Sequence, residues 1–309
     1  HLPEELRVQE RLLGLAEATE WMHFPDGPTP DDARRNLDLA QKRLAFDEFF
    51  VFQIGLVQRK RTFQAQPGNA IAIDRPALRA FADALPFGFT VAQTRATAEI
   101  LRDMERPEPM TRLLQGDVGS GKTVVAATAA LAAIRAGYQV GLMAPTEILA
   151  EQHYRGLTKL FEAAPEEIQP RIGYISGKVG GAERATLYRQ TAAGELDLVI
   201  GTHALIQGGL EFHNLGLAIV DEQHRFGVAQ RTALRTKGAN ADILVMTATP
   251  IPRTLALTLH GDLDVSTLDE LPPGRQPIET HWILERQRAH AWRFVREQVE
   301  KGRQAFIVF

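Results

Sequence analysis

The stretch RLLQGDVGSGKTVVAATAA, residues 112–130, decides the fold of this chain. Its segment Gly116–Thr123 fits the pattern G-x-x-x-x-G-K-[ST], which describes a loop that cradles phosphate groups. Glycines allow such a loop to curl until its backbone N–H groups face phosphate oxygens, and the helix that follows attracts negative charge to its first turn. The sequence therefore predicts a nucleotide-binding loop between a strand and a helix.

The residue types of this loop explain how it would hold a nucleoside triphosphate. Lys122 brings a positive charge to the β- and γ-phosphates, and Thr123 offers a hydroxyl to Mg²⁺. The residues expected to line the phosphates with their backbone are Gly116, Gly119, Ser120 and Gly121. The flanking sequence agrees, because RLL is typical of a strand and KTVVAATAALAAIRA of an alanine-rich helix that ends near Gly137.

The composition excludes several classes of protein. The 309 residues are 44% hydrophobic, enough for two ordinary domains, and the lack of cysteine excludes disulfides and thiolate metal sites. The apolar runs are too short for a membrane span, and no segment has the layout of a signal peptide, so we expect a cytoplasmic protein with no membrane partner. The formal net charge of −3 argues against a strongly basic coat for nucleic acid but allows a local groove.

From about residue 86, short β-branched runs alternate with helical segments. The runs are QVGLMA, RIGYIS, DLVIG, LAIVDE and ILVMTA. This alternation predicts an α/β fold with a central parallel sheet covered by helices. Ahead of it, residues 29–61 predict one long helix, capped by Thr29, for which a packing or linker role is the ordinary interpretation. Near the end, a helix over 288–301 is followed by QAFIVF, which predicts a buried strand that simply stops, so we expect the chain to be a piece of a longer protein.

A second acidic element follows the apolar strand LGLAIVDEQH, residues 215–224. Asp221 would reach Mg²⁺, directly or through water, and Glu222 would stand where a water must be polarised for attack on the γ-phosphate. Two acids at the end of a strand are usually only a solvated turn. Their position about one hundred residues after the phosphate loop, in the same predicted sheet, favours the functional interpretation.

The order of five motifs resembles a superfamily 2 helicase in its first RecA-like motor domain. The motifs are GDVGSGKT, APTEILAEQH, GTHALIQ, DEQHRFG and TATPIPRT. Their spelling is similar to the RecG family of bacterial ATP-dependent branch-migration translocases, whereas the related Mfd and PriA families carry DEEH where this chain has Gln223. The resemblance covers about residues 30–309. Together with the change of pattern near residue 86, it predicts a helical linker over 1–85, a RecA-like motor domain over 86–270 and the truncated start of a second one over 271–309.

The resemblance also implies roles for residues outside the phosphate loop. Gln93 would read the adenine edge, although a glutamine that opens a helix can equally serve as a cap. The implied DNA contacts are Pro145, Thr146, Thr202 and His203. Thr146 can also be a plain N-cap, and a lone histidine is more often structural. The residues implied to couple the γ-phosphate site to DNA are Thr247, Thr249 and Arg253, and for Arg253 the sequence leaves pairing with the acids, DNA contact and a structural role open.

The function implied by the resemblance is ATP-driven, Mg²⁺-dependent movement on branched double-stranded DNA, such as stalled forks and Holliday junctions. The implied protein is a monomer, with a single-stranded-DNA-binding protein as a further partner. Because the arginine finger of the second motor domain is missing, we expect this piece alone to hydrolyse ATP poorly. The alternatives are a transcription-repair coupling translocase, a transporter ATPase or P-loop switch, and a degenerate scaffold. A transporter ATPase should carry an LSGGQ-like signature, which YISGKVGG does not match, and a scaffold needs neither Lys122 nor Asp221.

Overall fold

The computed structural model describes residues 2–65, 67–177, 180–205, 209–221, 241–248, 263–270 and 279–308. The chain divides into two compact units, residues 1–272 and residues 273–309. The domain boundaries predicted at residues 85 and 270 stay predictions. Within the described ranges, no helix combines the length and the low polarity that crossing a lipid bilayer requires.

The described ranges of the first unit contain eight helices, and four of them begin at a residue whose side chain caps the helix. The eight helices are α1 (Glu4–Gln9), α2 (Leu15–His23), α3 (Pro30–Gln64), α4 (Arg75–Ala84), α5 (Val91–Met104), α6 (Lys122–Arg135), α7 (Glu147–Glu162) and α8 (Gly181–Ala192). Thr29 caps α3 as predicted, since its hydroxyl accepts a hydrogen bond from the backbone N–H of Asp32 at 3.2 Å. After α6, Gly137 has a φ of 87°, the left-handed conformation that ends many helices.

The described strands form one seven-stranded parallel sheet. They are β1 (Thr111–Gly116), β2 (Gln139–Met143), β3 (Ile172–Ile175), β4 (Leu198–Gly201), β5 (Leu215–Asp221), β6 (Asp242–Thr247) and β7 (Asp264–Leu268). Their order in the sheet is β3-β4-β2-β5-β6-β1-β7, and every neighbouring pair is parallel. The α/β fold with a parallel sheet is thus confirmed, and β7, which pairs with β1 at the edge, is a strand that the sequence analysis missed.

Alternation along the strands builds a core on each face of the sheet. On β5, Leu217 and Ile219 belong to the cluster that α4–α7 cover, whereas Ala218 and Val220 belong to the opposite cluster. This period of two follows from the geometry of a strand. Asp221 continues the Leu217–Ile219 series, so its side chain is directed to the face covered by α6 and α7.

The long helix α3 packs against α2 and reaches the far edge of the sheet. Near its middle, the buried guanidinium of Arg43 donates from Nε to the carbonyl oxygen of Leu13 at 2.8 Å and pairs with Asp47. Near its end, Lys60 Nζ lies 2.8 Å from Asp264 Oδ1 on β7. These contacts agree with the packing role predicted for this helix.

The second unit contains helix α9 (Arg288–Glu300), close to the predicted bounds. The strand predicted for QAFIVF is wrong within the residues described, because 303–308 have no strand pairing and Phe306 and Val308 are 88% and 92% exposed. A strand needs a hydrogen-bonded neighbour, and residues 279–284, the other apolar segment of this unit, form no strand either. The segment PPGRQP, residues 272–277, whose prolines and glycine predict an interdomain linker, lies outside the described residues.

Candidate active site

Several of the predicted site residues in the described ranges lie at one edge of the sheet. Because all described strands are parallel, their carboxyl ends share an edge, which is where ligands bind in open α/β sheets. The phosphate loop follows β1, Asp221 ends β5 and Thr247 ends β6. Asp221 is paired in register with Met246, and Met246 with Leu114, so Asp221 stands level with Leu114, two residues before the end of β1, and two strand spacings away from it, about 10 Å.

The phosphate loop has the curled backbone that the glycines predict. Gly119 and Gly121 have φ values of 79° and 86°, a region that favours glycine. The ammonium group of Lys122 donates to the carbonyl oxygens of Gly116 at 2.7 Å and Asp117 at 3.0 Å. The lysine is therefore held across the loop, where its charge faces the space that the loop encloses.

The geometry of the loop also fits a bound triphosphate. A Cβ atom on Gly116 would lie 2.5 Å from Ser120 Oγ, so the loop is too tight for a side chain there. Ser120 is fully buried, and its Oγ has no hydrogen-bond partner in the described part of the chain. A buried polar atom of this kind calls for a partner. Phosphate oxygens would supply acceptors both for this hydroxyl and for the loop N–H groups.

Of the two roles that the sequence left open for Gln93, the structure shows the helix cap, and the contact with adenine stays a prediction. Gln93 forms a capping box with Thr90, in which Gln93 Oε1 accepts from the Thr90 N–H at 2.9 Å and Thr90 Oγ1 accepts from the Gln93 N–H at 3.2 Å. Its Nε2 donates to the carbonyl oxygen of Ser120 at 2.9 Å. The amide thus caps α5 and at the same time ties this helix to the phosphate loop.

Asp221 is paired with a histidine that the sequence analysis did not single out. His153 Nε2 lies 2.6 Å from Asp221 Oδ2, and the two side chains are 12% and 11% exposed. Thr123, in the first turn of α6, and Asp221 offer hydroxyl and carboxylate oxygens, the donors that Mg²⁺ prefers. The two described residues therefore fit a magnesium site, whereas Glu222 lies outside the residues described.

The candidate DNA contacts lie at the same edge of the sheet as the phosphate loop, after β2 and β4, which stand three and four places from β1 in the strand order. Pro145 and Thr146 follow β2, and Thr146 is the N-cap of α7, since its Oγ1 accepts from the Leu149 N–H at 3.3 Å. Thr202 and His203 follow β4 and are partly exposed. The cap predicted for Thr146 is confirmed, and it leaves the other N–H groups of the first helical turn facing the edge. Thr247 is buried at the end of β6, and Thr249 and Arg253 lie outside the described residues.

The segment after β7 fastens the helix that carries Gln93. Glu270 Oε2 accepts a hydrogen bond from the Ala92 N–H at 3.0 Å, so a carboxylate stands at the N-terminus of α5, where the helix dipole favours it. Arg95 pairs with Asp269 at 2.7 Å, which lowers the pKa of that carboxyl group below its usual value. No motif marked these contacts, because they join residues more than 170 positions apart in sequence.

Comparison with known proteins identifies the relatives of this chain. Residues 90–258 match the DEAD/DEAH box helicase family. The chain is 49% identical over its full length to the ATP-dependent DNA helicase RecG of Synechocystis sp., of which it covers 36%, and 46% identical over 99% of its length to that of Bacillus subtilis, of which it covers 44%. It therefore spans less than half the length of these relatives. The resemblance to the RecG family is confirmed.

Solved structures agree with this comparison. The structure of RecG bound to a three-way DNA junction superposes with a TM-score of 0.86 and 42% identity, and the match covers 100% of this chain and 40% of that one. The DEAD-box helicase Mss116 bound to single-stranded RNA matches 74% of the chain with a TM-score of 0.53 and 17% identity, which shows a shared fold.

Proposed function

Because the chain belongs to the DEAD/DEAH box helicase family and is similar to RecG helicases along its whole length, we propose that it carries the ATP-binding half of a motor that remodels branched DNA. The substrates are stalled replication forks and Holliday junctions in recombination and repair. The observation that carries this proposal is the meeting of the phosphate loop, Asp221 and the α7 N-terminus at one edge of the sheet, in a fold that matches RecG bound to a three-way junction.

In this proposal the loop residues bind the triphosphate of ATP. The N–H groups of Gly116, Gly119, Ser120 and Gly121 hold the phosphate oxygens, and Lys122 exchanges its loop carbonyls for the β- and γ-phosphates. Gln93 contacts the adenine from its position beside Ser120. Thr123 and Asp221 hold Mg²⁺, which neutralises charge on the phosphates. Glu222 polarises the attacking water.

The nucleic acid would lie along the neighbouring strand ends. The first turn of α7 offers N–H groups to a backbone phosphate beside Pro145 and Thr146, as helix N-termini do for anions. Thr202 and His203 form a second backbone contact after β4. Thr247, Thr249 and Arg253 transmit changes at the γ-phosphate to this surface. Contacts of this kind fix the position of DNA without reading its sequence.

The remaining features of the proposal concern the whole protein. It acts as a monomer in the cytoplasm, where its DNA is, and a single-stranded-DNA-binding protein is a further partner. ATP turnover by the 309 residues alone is slow, because a second motor domain supplies the arginine finger that stabilises transition-state charge. Rapid turnover by the isolated chain would contradict this last point.

The decisive experiment measures steady-state ATP hydrolysis by the full-length protein that contains this chain. Reactions contain no DNA, linear duplex or forked duplex at equal phosphate concentration, with Lys122→Ala as the matched control. We expect stronger stimulation by the fork than by the linear duplex, and loss of turnover with nearly unchanged DNA binding in the control. Glu222→Gln should trap bound ATP.

Two other outcomes would redirect the assignment. Equal stimulation by fork and linear duplex would favour a transcription-repair coupling translocase over a branch-directed helicase. No stimulation by any DNA would overturn the motor and favour a P-loop ATP switch. Normal turnover by Glu222→Gln would remove the role assigned to Glu222.

A further inference from the structure

The contact between His153 and Asp221 joins the acidic strand end to α7, the helix whose N-terminus is a candidate DNA contact. The two atoms, His153 Nε2 and Asp221 Oδ2, are 2.6 Å apart and largely shielded from water. We propose that His153 is a positioning residue, which holds one carboxylate oxygen of Asp221 so that the other is directed at Mg²⁺. This inference rests on the proposed function, because it presupposes that Asp221 serves a magnesium-bound nucleotide.

The chemistry of a carboxylate allows each of its two oxygens to have a different partner. An ionised aspartate has two acceptor oxygens, and a metal ligand with one free oxygen can rotate about its side-chain torsions. A hydrogen bond from a ring N–H to that second oxygen removes this freedom. Hydrogen-bond partners of metal ligands orient the ligand, and their loss typically weakens metal binding about 10- to 100-fold.

The surroundings of His153 show that its own position is fixed. It lies on α7 between Ala150 and Leu157, which are both buried in the core on that face of the sheet. The next residue, Tyr154, stacks on Tyr174 of β3, with ring centroids 5.4 Å apart and planes inclined by 21°. A histidine on a helix held in this way can impose an orientation on a side chain at the end of another strand.

The first turn of α7 is fastened independently of the histidine. Glu147 Oε1 accepts a hydrogen bond from the Gly177 N–H at 2.7 Å, and Tyr174 donates its hydroxyl to the Glu147 carbonyl oxygen at 3.3 Å. Thr146 caps the helix at the same end. Replacement of His153, about two helical turns further on, should therefore leave the N-terminus of α7 in place. The experiment can then separate metal positioning from the fold of the helix.

The test uses two replacements of similar size in the full-length protein. His153→Gln keeps an N–H donor and removes the ring, whereas His153→Leu removes the donor and keeps an apolar side chain. The readout is the affinity for a fluorescent, non-hydrolysable ATP analogue, measured without DNA in saturating Mg²⁺ and again in EDTA. The affinity in Mg²⁺ divided by the affinity in EDTA is the Mg²⁺-dependent gain in affinity. The electron paramagnetic resonance spectrum of Mn²⁺ bound with the analogue reports on the metal directly.

We expect His153→Leu to reduce the Mg²⁺-dependent gain about tenfold and to alter the Mn²⁺ spectrum, with the affinity in EDTA unchanged. His153→Gln should stay within about twofold of the unmodified protein, because it retains the donor. An unchanged gain in His153→Leu would overturn the inference, as would an equal loss in both variants. A loss of affinity in EDTA would also overturn it, because the histidine would then support the phosphate loop.

Failure of the proposed function has a different signature. In that case the unmodified protein would bind the analogue no better than Lys122→Ala does, with or without Mg²⁺. That result would overturn the nucleotide site and the inference together. A Mg²⁺-dependent gain in the unmodified protein that Lys122→Ala lacks supports the site, and the two His153 variants then decide the role of the histidine alone.

Discussion

The amide of Gln93 donates a hydrogen bond to the carbonyl oxygen of Ser120 at 2.9 Å, so the start of α5 and the phosphate loop form one hydrogen-bonded unit. The contact needs a glycine beside it, since a Cβ atom on Gly121 would lie 2.1 Å from Gln93 Nε2. Helix α5 is tied in turn to the segment after β7 by Glu270. The shape of the phosphate loop therefore depends on residues far from it in sequence.

The first prediction concerns Gly121. Gly121→Ala should lower the free energy of unfolding by about 1–2 kcal/mol, because alanine disfavours the left-handed conformation of this residue. The added Cβ should also displace Gln93 and abolish binding of the ATP analogue. Gly137→Ala is the matched control, because its φ is nearly the same, 87° against 86°, and nothing lies within 4 Å of its Cβ position. Urea denaturation and analogue binding check the pair. Normal binding by Gly121→Ala would contradict the prediction.

The second prediction separates the two contacts of Gln93. Gln93→Ala should lower the preference for ATP over GTP about tenfold, the equivalent of one hydrogen bond to the base, and should also lower stability. Thr90→Ala removes the Thr90 side of the same capping box and leaves Gln93 Nε2 in place, so it should lower stability alone. Competition binding of the two nucleotides provides the measurement. Equal preference ratios in the two variants would mean that Gln93 is only a cap.

The elements that the sequence predicted well are those whose signal is local. The phosphate loop, the cap of α3 by Thr29 and the strands β1–β6 follow from short patterns of glycine, capping residues and β-branched runs. The apolar period of two also places Asp221 on the face of the sheet that α7 covers. Such patterns can be read without knowing which elements become neighbours.

The features that the sequence analysis missed depend on tertiary neighbours. Strand β7 carries Asp264, Ser266 and Thr267 among few apolar residues, and it becomes a strand because β1 pairs with it. His153 had no spacing that linked it to Asp221, 68 residues away. Gln139, at the start of β2, looks like a surface residue, but its side chain is buried and its amide bonds four backbone groups. Only the assembled sheet brings such partners together.

The third prediction concerns the buried ion pair beneath β7. Arg112 lies 2.6 Å from Asp103 and 3.3 Å from Glu99, and it donates to Ser266 Oγ at 2.8 Å. Arg112→Leu should lower the free energy of unfolding by about 3–5 kcal/mol, because the Asp103 carboxylate stays buried but loses the positive charge of Arg112. Urea denaturation measures the change.

An exposed ion pair provides the comparison for Arg112. Arg75 and Glu105 are 2.7 Å apart, with side chains 69% and 39% exposed, so Glu105→Gln should cost less than about 1 kcal/mol. Similar losses of unfolding free energy in Glu105→Gln and Arg112→Leu would show that burial does not determine how much the Arg112 network stabilises the fold. Replacing Asp103 together with Arg112 should recover part of the loss, because the buried Asp103 carboxylate, which among the described residues keeps only its ion pair with Arg106 at 3.2 Å once Arg112 is gone, is then removed as well.

The last prediction concerns the dependence of stability on pH. Asp242, at the start of β6, is 1% exposed; Oδ1 accepts from the Met110 N–H at 2.6 Å, and Oδ2 has no hydrogen-bond partner in the described part of the chain. Burial, and to a lesser degree the nearby Asp103 carboxylate, raise the pKa of Asp242 well above its ordinary value of 3.8. A raised pKa means that the folded protein binds this proton more tightly than the unfolded chain does. Its contribution to stability is therefore complete below the unfolded pKa and is lost as the pH rises through the folded pKa.

Asp242→Asn tests this sign directly. The amide keeps the acceptor for Met110 and carries no charge, so the variant should be more stable than the unmodified protein at pH 8, and the difference should shrink as the pH falls toward 4. Asp269→Asn is the opposite control, because Arg95 lowers the pKa of Asp269 and its contribution is lost as the pH falls. Unfolding free energies from urea denaturation across this pH range give both curves. A difference for Asp242→Asn that does not change with pH would show that the carboxyl group keeps one protonation state in the folded protein throughout that range.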